Sequence, residues 1–176
     1  MRRNPKWARR VSGKKVMMRI GFGNDVHRLE AGRPLLLAGV EIPSETGAVG
    51  HSDADVLFHA VTDAIFGALA LGDIGTHFPP SDVRWKDADS ISFVRVAVSK
   101  MKSRGYEVGN LDSTVSLEAT RLRPFIDQIR AALAAGLETD VVNISVKAKT
   151  GEGVDAVGES RAIKAEACIL LTKTSS

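Results

Sequence analysis

The sequence predicts a single-domain α+β (α/β) fold, a mixed-sheet sandwich. Three observations carry this. Segments with strand periodicity alternate with segments of helical periodicity along 176 residues. The 44% apolar content is enough for one core. Internal repeats and long linkers are absent from the sequence.

Residues Arg19–Val26 read as the first strand, loosened by Gly21 and Gly23. Leu35–Ala38 and Val40–Ile42 form a hairpin, and Ser44–Gly50 a loop. Ser52-Asp53-Ala54-Asp55 resembles a capping box with Asp in place of Glu, so a helix is expected to start at Ser52. Val56, Leu57, Ala60, Val61, Ala64, Ile65, Ala68 and Leu69 recur at helical spacing, and Gly72 ends the stripe. Gly72–Asp87 reads as a loop. Ser90 is placed to cap a helix running to about Arg104, with Gly105 as its stop. Tyr106–Leu117 alternates as a strand. A third helix begins at Pro124 and ends at Gly136. Val142, Ile144, Val146 and Ala148 mark a strand, Gly151–Gly158 a glycine-bearing loop, and Ala162–Thr172 a final apolar strand.

The net charge of +3 is misleading as a whole-chain value. Residues 1–17 hold seven Lys+Arg and no acid. Without them the balance is 17 Lys+Arg (24 − 7) against 21 Asp+Glu, or −4. The body therefore lacks the electrostatics of a nucleic-acid binder. No apolar run is long enough to cross a membrane. Residues 1–17 read as a basic extension outside the fold, and 18–174 as the folded domain. Cys168 is the only cysteine, which excludes a disulfide framework within the chain; its apolar neighbours suggest a core position. A cytoplasmic bacterial location is expected, with a plastid as the alternative if the basic segment is a targeting remnant.

Three of the four histidines lie in one window with aspartates beside them: Asp25-Val26-His27, His51-Ser52-Asp53-Ala54-Asp55 and His59. Asp25 and His27 are two apart, which on a strand puts both side chains on one face. His59, on the long helix, is the best third ligand, with Asp55 or Asp63 available to hold its far ring nitrogen. One Asp and two His leave a zinc position open for chemistry. His51 and Ser52, just before the helix, suit contact with a phosphate.

Several motifs together resemble 2-C-methyl-D-erythritol 2,4-cyclodiphosphate synthase. They are Arg19–His27, His51–Val56 with His59, Leu71-Gly72-Asp73-Ile74-Gly75, Gly109-Asn110-Leu111-Asp112, and Val146–Thr150 with Glu152. The resemblance covers about Met18 to Lys173. It implies a mixed sheet with helices on one face and a homotrimer around a central β core, with active sites between subunits. It implies conversion of 4-diphosphocytidyl-2-C-methyl-D-erythritol 2-phosphate into the cyclic diphosphate, with loss of CMP, in the non-mevalonate isoprenoid pathway. Zn2+ is implied on Asp25, His27 and His59, and a second ion, Mg2+ or Mn2+, on Glu152. His51 and Thr150 match transition-state contacts. Ser52, Asp73, Ile74, Gly75, Phe78, Asp82, Leu117, Arg121, Leu122 and Lys149 match substrate contacts, those from Leu117 onward around the cytidine.

The chain departs from that pattern in places. Pro80 stands where many members carry Asp, so a carboxylate role there would fall to Asp82. Glu118-Ala119-Thr120-Arg121 replaces a commoner Gln-x-Pro-Lys. Around the trimer axis, Ala156, Glu159 and Arg161 replace a Phe and an oppositely ordered Arg–Glu pair, so an axial cavity is expected to bind isoprenoid diphosphates poorly. Chemistry alone also admits a zinc phosphoesterase or a non-catalytic zinc-stabilised trimer.

Overall fold

The computed structural model describes residues 17–174. The expected basic extension lies outside the described residues except for Met17, whose carbonyl accepts from Lys173 N at 2.9 Å. The strands are β1 (Met18–Ala31), β2 (Leu35–Leu37), β3 (Val40–Ile42), β4 (Thr46–Val49), β5 (Tyr106–Ser116), β6 (Ile144–Lys149) and β7 (Ala162–Lys173). The α-helices are α1 (Val56–Ala68), α2 (Ile74–His77), α3 (Ile91–Ser103), α4 (Ile126–Leu137) and α5 (Asp155–Gly158). A five-stranded sheet runs β4-β1-β7-β5-β6, and β2-β3 form a separate hairpin. Among the described residues only β5 and β6 pair in parallel, across a connection that contains α4.

Helix α1 lies across β1 and β7, and α4 beside β6, with α3 against α1 and α4. Its side chains Leu57, Ile65 and Phe66 are fully buried, as are Leu111, Ile144 and Ile169 beneath. Each such side chain contributes roughly 1.5–3 kcal/mol of burial. The close approach of α1 depends on two glycines. A Cβ on Gly21 would meet Ala64 O at 1.8 Å, and one on Gly23 would meet Ala60 O at 2.1 Å. The opposite face of β1 carries Met18, Ile20, Phe22 and Val26, all exposed. Cys168 is also exposed, not core, because β7 alternates and residue 168 falls on the uncovered face.

Several local expectations change. Ser44–Gly50 contains β4, which pairs antiparallel with Arg28–Ala31 of the lengthened β1. Gly47 is drawn there by packing: a Cβ would stand 2.0 Å from Pro34 O. The first long helix starts at Val56, capped by Asp55, whose carboxylate accepts from Leu57 N and Phe58 N. The helix ends at Ala68, with Leu69 as its C-cap, before Gly72. The 72–87 loop holds α2 and a 3-10 turn, Val83–Trp85, capped by Asp73 and Asp82 respectively. Pro124 lies in a 3-10 turn before α4, and Gly136 lies inside α4, where a Cβ would press Ile91 at 2.9 Å. Val142 belongs to another 3-10 turn, ahead of β6, and the 151–158 loop closes into α5. Among the described residues no helix is long and apolar enough to cross a membrane.

Candidate functional site

The pleat of β1 turns Asp25 and His27 toward α1, on the face that carries Gly21 and Gly23. Gly23 lets α1 sit close enough for His59 to reach them. Asp25 Oδ2 lies 2.8 Å from His59 Nδ1 and 2.9 Å from His27 Nε2, and the two imidazole nitrogens are 3.1 Å apart. All three side chains are half-buried.

The far ring nitrogens show which atoms face inward. His27 Nδ1 is 2.9 Å from the Val49 carbonyl, so it carries a proton, and in the neutral ring Nε2 presents a lone pair. His59 Nε2 lies 2.8 Å from Ser90 Oγ and 3.1 Å from Ser52 Oγ. Neither Asp55 nor Asp63 holds that nitrogen. Asp55 is spent on the cap and on Gly39 N at 2.7 Å, and Asp63 accepts from Ile74 N at 2.6 Å. Burial pushes both of their carboxyls above the usual carboxylate range.

The cluster pulls strongly for positive charge. Burial alone would raise Asp25, yet hydrogen bonds and charge from His27 and His59 hold its carboxyl well below the usual range. Burial alone would lower His27, yet the bond and charge of Asp25 raise its pKa above 6.5. Two nitrogens and one carboxylate oxygen within 4.8 Å of one another are a zinc-type donor set. Tetrahedral ligand atoms on zinc stand about 3.3 Å apart, only a few tenths wider than these. The residues fit the ion.

Beside the triad is a cleft of about 250 Å³. Of the residues expected from the sequence, His27, His51, Ser52, His59, Ile74, Gly75 and Phe78 line it. Pro80, which stands where many members carry Asp, also lines it, as do Trp85 and Phe93, which sequence reasoning did not place there. Phe78 stacks on Phe93 at 4.4 Å, and Trp85 meets both rings edge-on. Asp73 and Asp82 are not in the cleft wall. Asp73 accepts from Thr76 N and Oγ1, and Asp82 is paired with Arg84 at 2.6 Å. Ser90 has no cap bond in its own helix; its hydroxyl serves the site instead.

The remaining expected residues form a second patch. Leu117 N donates to Lys149 O at 2.9 Å, tying the 117–122 segment, with Arg121 and Leu122, to the end of β6. Gly151 N donates to Glu118 at 2.7 Å, and Thr150 Oγ1 donates to Glu152 at 3.1 Å. The register Val26↔Lys164↔Ser116↔Lys149 puts this patch at the same level of the sheet as the triad. It is three strands away, about 14 Å. Glu159 and Arg161 form an ion pair at 2.5 Å. Arg161 borders a separate cavity with Val26 and Ala156.

Comparison with known proteins follows the same outline. The YgbB family model matches residues 18–172. A 2-C-methyl-D-erythritol 2,4-cyclodiphosphate synthase from Solibacter usitatus is 53% identical over 156 residues, covering 89% of this chain and 98% of that protein. The bifunctional enzyme IspD/IspF of Albidiferax ferrireducens is 52% identical over 155 residues, but the chain spans only 37% of its length. A solved 2C-methyl-D-erythritol-2,4-cyclodiphosphate synthase in its CDP-bound form superposes with a TM-score of 0.81 at 39% identity, over 87% of this chain and 99% of that one. With the family model spanning residues 18–172 and relatives above 50% identity along nearly their whole length, the chain belongs to the YgbB family, that of the 2-C-methyl-D-erythritol 2,4-cyclodiphosphate synthases.

Proposed function

We propose that this chain converts 4-diphosphocytidyl-2-C-methyl-D-erythritol 2-phosphate to 2-C-methyl-D-erythritol 2,4-cyclodiphosphate with release of CMP. The observation that carries the reading is the inward convergence of Asp25, His27 and His59 beside a cleft bordered by His51 and Ser52. Zinc held by those three residues would supply Lewis-acid withdrawal of charge from the substrate's β-phosphate. The chain's own residues supply position. His51 and Ser52 face the cleft where an anion would sit. Ile74, Gly75 and Phe78 form a wall that suits the methylerythritol carbon skeleton and excludes water from the reacting phosphates. Holding the 2-phosphate against its target in this way is worth up to roughly 7–11 kcal/mol of barrier.

Thr150 and Glu152, already hydrogen-bonded to each other, suit a diphosphate and its Mg2+ or Mn2+. The 117–122 segment suits the cytidine, in keeping with the CDP held by the solved relative. The exposed apolar row Met18, Ile20, Phe22 and Val26 supports a homotrimer packed through the uncovered sheet face. A site completed by the neighbouring subunit's 149–152 segment would then close the 14 Å gap within one chain. The Glu159–Arg161 pair leaves less free positive charge for an axial isoprenoid diphosphate. A cytoplasmic place fits the bacterial relatives.

Phosphorus NMR of the turnover mixture tests the reading. A cyclic diphosphate with CMP is expected, abolished by a chelator and by His59→Ala. A linear phosphate product would instead make the chain a hydrolase.

A further inference from the structure

We propose that Asp53 and Ser90 are positioning residues that set the tautomer of His59 and so ready its Nδ1 as a metal ligand. The inference rests on the zinc reading of the triad.

Ser90 is fully buried and Ser52 nearly so. The Ser90 hydroxyl donates to Asp53 Oδ1, and Ser90 N donates to Asp53 Oδ2 at 2.9 Å. An ionised carboxylate only accepts, so the single hydroxyl proton of Ser90 goes to Asp53. Ser90 Oγ is then left with lone pairs alone, 2.8 Å from His59 Nε2. That nitrogen must be the one that carries hydrogen and donates. The opposite nitrogen, Nδ1, turns a lone pair toward Asp25 and His27. Ser52 Oγ, 3.3 Å from Ser90 Oγ, can donate to the same oxygen and complete its partners. Reversing the order would set two donors against each other or leave Asp53 without its hydroxyl donor. His27 is treated in the same way by the Val49 carbonyl. In their neutral forms both histidines therefore turn a lone pair inward, beside the Asp25 carboxylate.

Asp53 also holds the loop that carries His51. Its own N–H donates to Ala88 O at 3.1 Å, and Asp87 N donates to His51 O at 2.9 Å. The residue whose carboxylate orients Ser90 thus also ties down, through its backbone, the loop next to the cleft-lining histidine.

The test is zinc affinity of the full chain by competition with a chromogenic chelator. It compares wild type, Asp53→Asn, Ser90→Ala and the double variant. Asn at 53 can accept from only one of the two Ser90 donors, so it breaks the chain without changing its shape. Each single variant is expected to bind zinc about 10–100-fold more weakly. The double variant should be no weaker than the worse single one, because both act through one hydrogen-bonded chain. Folded single variants with wild-type affinity, or losses that multiply in the double variant, overturn the proposal. Nitrogen-15 NMR of zinc-loaded wild type decides the matter even if the variants fail to fold. A slowly exchanging proton on His59 Nε2 supports it, and a bare Nε2 overturns it. A wild type that binds no zinc overturns the metal reading itself, a result distinct from equal binding by all variants.

Discussion

Gly23→Ala should unseat His59 without touching a single ligand. The added methyl would stand 2.1 Å from Ala60 O, 2.6 Å from Ala64 N and 2.9 Å from Asp63 Cβ. The first contact is short of ordinary contact at 3.4 Å by about 1.3 Å, and the atoms it meets are helix backbone that cannot rotate away. Helix α1 must therefore back off from β1 by something near that distance. His59 immediately precedes Ala60 and moves with it. Its Nδ1, now 2.8 Å from Asp25, would recede to about 4 Å, beyond the roughly 3.3 Å separation that tetrahedral zinc ligands tolerate. Overpacking of this kind costs about 1–3 kcal/mol of stability, and losing one of three ligands costs zinc affinity by orders of magnitude. Urea denaturation reads the first and chelator competition the second. Gly32→Ala is the control, since a Cβ there meets nothing within 4 Å and strains only a positive φ of 75°. It should lose about 1 kcal/mol and keep wild-type zinc affinity. A folded Gly23→Ala with unchanged zinc affinity would refute the claim that glycine-permitted helix approach assembles the site.

Stability of the chelated protein should depend on pH with opposite signs at the two ends. The His27 pKa is raised by Asp25 against the pull of burial, so its contribution is present below the unfolded value of 6.5 and lost as pH rises through the folded one. The Asp25 carboxyl is held low by His27 and His59 against burial, so its contribution is present above 3.8 and lost as pH falls. Thermal melts of metal-free protein should peak between those values, and Asp25→Asn should flatten the curve; zinc-loaded protein should instead weaken on acidification below 6.5, as protons displace the ion. Asp55→Ala removes the acceptor for Leu57 N, Phe58 N and Gly39 N, all at a fully buried position. Its expected cost is about 2–4 kcal/mol by chemical denaturation, and a loss below about 1 kcal/mol would show that water replaces the carboxylate.

The legible part of this molecule was local. Spacing of two on a strand placed Asp25 and His27 on one face, because side-chain direction follows from backbone period alone, and the helical stripe from Val56 put His59 on a helix as the best third ligand. Motifs around these residues carried the family. What escaped the sequence were contacts made across long separations. Ser90 looked like a helix cap, since Ser before a helical stripe commonly is one, but its hydroxyl is claimed by Asp53 and His59, 37 and 31 residues away. Asp55 took the cap that the Ser52 pattern suggested because the chain turns at Ala54, with φ of 58°. Gly47 entered a strand against its propensity because Pro34 leaves no room for a side chain. Cys168 sits on the open face because β7 alternates there, although its neighbours are apolar.

By itself, then, the sequence singled out the candidate residues for the chemistry and how they repeat along each element, since both are properties of short stretches of chain. Tertiary structure decided how those elements meet. It chose the hydroxyl that orients His59, lined the cleft with Trp85 and Phe93, and parted the triad from the Thr150–Glu152 patch by three strands. Packing distance and sheet order are set by the whole core, and no local period encodes them.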